Sequence, residues 1–343
     1  MAHIILARSV SLRGITILQK SFKLRRIRPN EAGRPISGWA LGDTTMTPST
    51  IRDRLPYRPI VTRPKLRLPG DARVAVWTIV NVENWSPTDP MPRAVLPPPM
   101  GQPLLPDVPN WAWHEYGMRV GFWRFLETLD ARGLKASFAV NGTACSLYEE
   151  ACRSAFAAGW DFLGHGYVQR PMHRVEDQRS AIHDTIEAIR TITGKPPRGW
   201  ESPGLTETAE TLDHLAEAGI EYVCDLCLDD QPVMIQASPR PIVAMPYTVE
   251  INDVVITAVQ GHRSDEIFLR GVDHFDRLYK EGVKQPRVMA ISIHPYLTGA
   301  PHRIKYLEML YDHILERDGA VMWTGSEILD WYRGQVAEGA ATA

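Results

Sequence analysis

The sequence has no excess of positive charge to offer a polyanion. Its 38 Lys and Arg are set against 40 Asp and Glu, a formal net charge of −2, so neither nucleic acid nor an anionic membrane surface is an expected partner. No apolar run approaches the roughly 20 residues that a spanning helix needs. Cysteine is scarce: four in 343 residues make no disulfide framework. Cys224 and Cys227 form a C-x-x-C, but residues three apart on a strand point to opposite faces, and buried small hydrophobes is the preferred account of all four. No secretory core is visible either, since Ile15 to Leu18 is too short and too late. A cytoplasmic location is therefore expected.

With 44% hydrophobic and 23% charged residues, the chain has material for one large α/β domain or two small ones. Residues 1–45 stand apart, with eight Lys or Arg against only Glu31 and Asp43. They read as an N-terminal extension that is either disordered or absent from the working protein. Residues 46–72 form an extended Pro-rich arm, 73–335 the domain, and 336–343 a C-terminal tail.

The domain opens on Val74-Ala75-Val76-Trp77-Thr78-Ile79-Val80-Asn81-Val82-Glu83-Asn84, a β-branched apolar run that ends abruptly in polar groups. Such a run is the pattern of a strand buried on both faces. Similar strands are expected over 135–141, 160–165, 221–228, 254–259, 288–293 and 320–323, with a strand-to-loop junction at 199–204. Helical patterns lie between them, at 116–131, 145–158, 175–193, 206–218, 275–279, 303–316 and 326–333. Thr206 is expected to cap its helix. The Pro-rich segment 87–109 is long for a loop and reads as a lid or binding loop. Strands alternating with helices predict a parallel α/β barrel of seven or eight strands, deformed rather than regular.

In such folds the chemistry sits at the carboxyl ends of the strands. Three ends carry candidates: Glu83, His165 and His294. A carboxylate and two imidazoles on one face supply a general base, a general acid and a polariser for hydrolysis of an acyl C–N or C–O bond. Trp77 and Trp160 lie in apolar runs and read as core, whereas Trp111, Trp113 and Trp200 adjoin the expected site loops.

The carboxylate after strand one, Gly164-His165 near the middle and a late Ile291-Ser292-Ile293-His294-Pro295 resemble the polysaccharide deacetylase family (carbohydrate esterase family 4). Glu115-Tyr116-Gly117 with Trp123-Arg124, Asp229-Asp230-Gln231-Pro232, and Pro246-Tyr247-Thr248 with Asn252-Asp253 resemble the branch of metal-independent bacterial allantoinases. The resemblance implies a deformed (β/α) barrel and hydrolysis of a carbon–nitrogen bond in a small cyclic ureide or imide. Metal-dependent members carry an Asp-Asp pair and His-x-x-x-His; here those places hold Glu83-Asn84 and His165-x-x-x-Gln169. Neutral amides are poor zinc ligands, so no cofactor is expected. The alternative is a divalent metal, zinc, held by Glu83, His165 and His173.

The roles implied are Glu83 as base, His294 as acid and His165 as polariser, with Asn84 and Gln169 as neutral donors. Asp229 or Asp230 is expected to orient His294, and Trp200 and Tyr247 to contact substrate. Two further readings remain: a metal-dependent N-deacetylase of an amino sugar or polysaccharide, and a non-catalytic small-molecule binding protein on a hydrolase scaffold. A homo-oligomer acting on a small molecule is expected.

Overall fold

The computed structural model describes residues 50–341. The expected N-terminal extension, residues 1–45, lies outside the described residues. Nine strands are found among the described residues, rather than seven or eight: β1 Val74–Val82, β2 Ser137–Val140, β3 Asp161–Gly164, β4 Gly199–Trp200, β5 Tyr222–Val223, β6 Val233–Ile235, β7 Ile242–Ala244, β8 Arg287–Ile293 and β9 Ala320–Met322. They form one sheet in the order β6-β7-β5-β4-β3-β2-β1-β8, with β9 pairing the first residues of β1. All pairs are parallel except β6–β7. The sheet curls into a half-barrel with helices around it. Its far side is tied by an isolated bridge between Asn252 and Ser292 and by Val288 N–H donating to the Asp230 carbonyl at 2.8 Å. Among the described residues, no helix is long and apolar enough to cross a membrane.

Strand alternation decides which residues reach the site. On β1, Val74, Val76, Val80 and Val82 pack outward with Phe122, Phe125 and Phe138. Ala75, Trp77 and Ile79 pack inward with Leu163, Tyr222 and Tyr247. The period of two carries the inward series on to Asn81 and Glu83. On β8 the outward set is Met289, Ile291 and Ile293, which leaves Ser292 and His294 to face in.

Several expected elements differ. Residues 254–259 are not a strand but a π-helical turn, Val254–Val259. Asn252 starts it, its side chain accepting from Val254 N at 2.9 Å and its carbonyl from Ile256 N at 2.9 Å; that local bonding outweighs the β-preference of the valines. Thr206 caps no helix. It accepts from Met172 N at 3.0 Å and donates to the Pro203 carbonyl at 2.9 Å, and the helix starts at Thr211. The strand expected over 221–228 is two residues long, and β6 and β7 went unforeseen. The last helix, Gly325–Ala341, takes in most of the expected tail. The Pro-rich arm is not loose: Arg54 is buried and forks onto Asp213 at 2.7 and 2.8 Å.

Candidate active site

Register lines up the strand ends. Val82, Val140, Gly164, Trp200 and Val223 are paired in succession across β1 to β5. The residues that follow, Glu83, Asn141, His165, Glu201 and Cys224, therefore form a row at the carboxyl edge. Ile293 pairs with Val80, so His294 sits beside this row.

Glu83 is the centre. Its Oε1 accepts from Gln169 Nε2 at 2.6 Å and lies 3.5 Å from His165 Nε2 and 3.9 Å from His294 Nε2. Its Oε2 accepts from Trp85 Nε1 at 2.9 Å. Burial pushes the carboxyl up, but the His165 hydrogen bond, the charge of His294 and the Trp85 N–H together hold it down at about 2. Glu83 is thus ionised at every working pH.

Both imidazoles are fixed by their Nδ1 atoms. His165 Nδ1 donates to the Glu201 carbonyl at 2.7 Å, an oxygen that can only accept. His294 Nδ1 donates to Asp253 Oδ1 at 2.7 Å. Asp253 Oδ2 accepts from His294 N at 2.8 Å, from Thr298 N at 3.2 Å and from Thr298 Oγ1 at 2.6 Å. Burial lowers each ring, yet the neighbouring carboxylates win: Glu83 and Glu201 raise His165, and Asp253 and Glu83 raise His294. Each presents Nε2 toward Glu83.

The group that orients His294 is therefore Asp253, not Asp229 or Asp230. Asp229 is taken by Arg63, both oxygens at 2.8 Å, where it anchors the arm. Asp230 lies 3.7 Å from Arg287 at a half-exposed edge. Two other expected contacts move behind the site. Trp200 is fully buried among Ile182, Leu212 and Ile235, with its N–H on Ser202 Oγ at 3.0 Å. The Tyr247 hydroxyl donates to Glu201 Oε1 at 3.0 Å and meets Ser292 Oγ at 2.6 Å, so it shores the site up from below.

Three residues were given no role by the sequence reading. Asn141 donates to Gln169 Oε1 at 2.7 Å and to the His165 carbonyl, and accepts from Asn84 N at 2.9 Å. This sets the Gln169 amide with its NH₂ toward Glu83. Glu201 is buried, and burial, with Asp225 adding, pushes its carboxyl up to about 7. Asp253 is the third. A signal existed for each: Asn141 and Glu201 directly follow a strand, as Glu83 does, and Asp253 stands in the Asn252-Asp253 pair that carries part of the resemblance.

The helical segment carrying Glu115-Tyr116-Gly117 supports the site from outside. A π-helical turn, Gly117–Gly121, brings it against the chain after His294. A Cβ on Gly121 would come within 2.0 Å of the Pro295 carbonyl oxygen, so only glycine permits the approach. Arg124 clasps the same region, donating to Tyr116 Oη at 2.7 Å and the Gly299 carbonyl at 2.6 Å. Trp113, His114 and Tyr296 then build an aromatic wall, joined by Trp85.

The donor set does not fit zinc. Asn84 Nδ2 donates to Thr143 Oγ1 at 3.1 Å, and Gln169 presents its nitrogen rather than its oxygen. His173 is exposed on the turn Met172–Arg174 and does not complete a set with Glu83 and His165. Among the described residues no group of three His, Cys, Asp or Glu is arranged to hold a metal ion. The four cysteines are free, Cys227 exposed and the others buried.

Residues 114–223 match the family model described as polysaccharide deacetylase. The chain is 27% identical to a probable polysaccharide deacetylase from Pseudomonas aeruginosa PAO1, whose crystal structure superposes with a TM-score of 0.72 over 81% of this chain and 98% of that one. The structure of PuuE allantoinase is 25% identical, with a TM-score of 0.70 over 79% of this chain and 94% of that one. A peptidoglycan deacetylase of Helicobacter pylori is 22% identical over 62% of this chain and 83% of its own length. Over residues 114–223 the chain is thus similar to the polysaccharide deacetylase family; it is curled into the barrel-like fold of the Pseudomonas structure, and these likenesses support an amide-hydrolysing enzyme.

Proposed function

We propose that this protein hydrolyses a C–N bond in a small amide, a cyclic ureide or imide, using side chains alone. The observation that carries the reading is Glu83, ionised and flanked by two imidazoles, with an amide from Gln169 where the family's metal-dependent members place a second histidine. The likeness to an allantoinase supports the same substrate class.

In this scheme Glu83 takes the proton from a water that attacks the carbonyl. A carboxyl held at about 2 is a weak base at rest. Its basicity is released in the reaction itself. As His294 Nε2 gives its proton to the leaving nitrogen, one of the charges that depress Glu83 disappears while the His165 contact remains. Proton uptake by Glu83 and proton delivery by His294 therefore assist each other. Asp253 takes the Nδ1–H of His294 and supports the ring as a cation, so that Nε2 carries the proton to be delivered. His165, with its Nδ1 fixed on the Glu201 carbonyl, turns Nε2–H to the developing oxyanion, and the second N–H of Gln169 adds a neutral donor.

A second reading, N-deacetylation of an amino sugar, is supported by the names of the deacetylase relatives and uses the same proton transfers. A substrate panel separates the two. Ring opening of allantoin, hydantoin, dihydrouracil or succinimide, without acetate release from N-acetylated chito-oligosaccharides, is the expected result. Acetate release with no ring opening would reverse the assignment.

A further inference from the structure

His114 has no part in the proton transfers, yet it stands in the wall of the site. Its ring is buried and lies 4.1 Å from that of Tyr296, 5.4 Å from Trp113 and 5.9 Å from Trp85, measured between centroids. Tyr296 in turn packs edge-on to His294 at 5.9 Å, and Trp85 holds Glu83. The ring is thus one side chain removed from each of the two groups that move protons.

Its protonation follows from one contact. Nδ1 lies 2.9 Å from the Asn110 carbonyl oxygen, which can only accept, so Nδ1 carries the hydrogen. Burial, the largest influence, lowers the ring's affinity for a second proton and outweighs the Asn110 carbonyl and the Glu83 charge, which raise it. The ring is neutral, and its Nε2 is a bare lone pair. That atom is buried with no hydrogen-bond partner. Leaving a buried acceptor unpaired forfeits its hydration, a cost normally kept only where something else uses the atom.

We infer that His114 Nε2 is a substrate-recognition acceptor that takes a hydrogen bond from an N–H of the bound amide, so that the enzyme selects substrates bearing a free N–H beside the reacting carbonyl. The inference builds on the proposed function and narrows it: ureides, imides and N-acetyl groups offer such a donor, whereas their N-methylated counterparts and esters do not. Nothing on this wall competes by donating to Nε2, since Asn110 presents its carbonyl and the three ring neighbours contribute their faces and edges. Pairing an acceptor that is otherwise orphaned gives strong discrimination, because the analogue lacking the donor leaves it orphaned again.

The test is ¹⁵N NMR of the full chain labelled at histidine, with the His114 signals assigned by their loss in His114→Phe. The free protein should show the Nδ1–H tautomer with an unprotonated Nε2. Hydantoin should shift the Nε2 signal, and 1,3-dimethylhydantoin should not. Binding followed by tryptophan fluorescence should weaken about tenfold or more for hydantoin in His114→Phe. His114→Gln, which keeps an acceptor, should retain the preference for the unmethylated compound. A protonated Nε2 in the free protein, or an Nε2 signal unmoved by hydantoin, succinimide and N-acetylglucosamine alike, would overturn the inference. A shift with N-acetylglucosamine and with no cyclic compound would uphold His114 as the N–H acceptor and overturn the cyclic-amide reading instead.

Discussion

Replacing Asp253 by Asn should disable the acid while leaving its geometry in place. The carboxylate accepts four hydrogen bonds, three of them on Oδ2, from His294 N, Thr298 N and Thr298 Oγ1. In Asp253→Asn the amide oxygen must take the Oδ2 position, because three donors converge there. The NH₂ is then forced against His294 Nδ1, 2.7 Å away in the parent. Nδ1 has to give up its hydrogen to accept from the amide, and the ring settles as the neutral Nε2–H tautomer. A cationic imidazolium would face an N–H and lose Asp253's charge as well. General acid catalysis is worth roughly a hundred- to ten-thousandfold, and a tautomer forced in the same way costs Ser-His-Asp enzymes about ten-thousandfold. We predict a fall in kcat within that range, with little change in KM. A substrate whose leaving group needs no proton, such as an activated ester, should lose far less. A kcat within threefold of the parent on the amide substrate would refute this role for the Asp253–His294 pair.

Glu201→Gln should make the protein less sensitive to pH. The folded carboxyl is raised from 4.5 to about 7, so between those values the unfolded chain ionises while the folded one does not, and stability is lost as pH rises. The variant should gain about 3 kcal/mol at pH 8 and little at pH 4, read by urea unfolding; an equal difference at both pH values would argue against a buried protonated acid. Gly121→Ala drives a Cβ to 2.0 Å from the Pro295 oxygen and should cost about 1–3 kcal/mol by overpacking, with a lowered melting temperature; an unchanged melting temperature would mean that the turn adjusts. The double change Asn84→Asp with Gln169→His puts a carboxylate and an imidazole near His165, whose Nε2 lies 3.2 Å from Gln169 Nε2. It should create zinc binding detectable by calorimetry where the parent has none.

Much of the site was legible because polar residues interrupt buried strands at one end. Glu83, His165 and His294 each break an apolar run, and alternation turns them to one face. Asn141 and Glu201 obey the same rule, but their runs are short, and the flanking Gly142 and Ser202-Pro203 read as loop. Asp253, named only within the Asn252-Asp253 pair, was left without a role for another reason. It sits at the start of a π-helical turn spelled Val-Val-Ile-Thr-Ala-Val, which local preference reads as a strand. Assigning the role to Asp229-Asp230 followed their place at an expected strand end; there the partners are Arg63 and Arg287, long-range ion pairs that spacing does not reveal. Trp200 was misplaced because a residue beside a site loop and one beneath it look alike in sequence.

The most direct test is turnover by metal-free protein. Enzyme stripped by a strong chelator, with its metal content measured, should open the ring of allantoin or another cyclic ureide or imide as fast as untreated enzyme. Glu83→Gln should be inactive in the same assay. Stoichiometric zinc in the purified protein, with activity lost on chelation and restored by zinc, would contradict a mechanism built on Glu83, His165 and His294 alone.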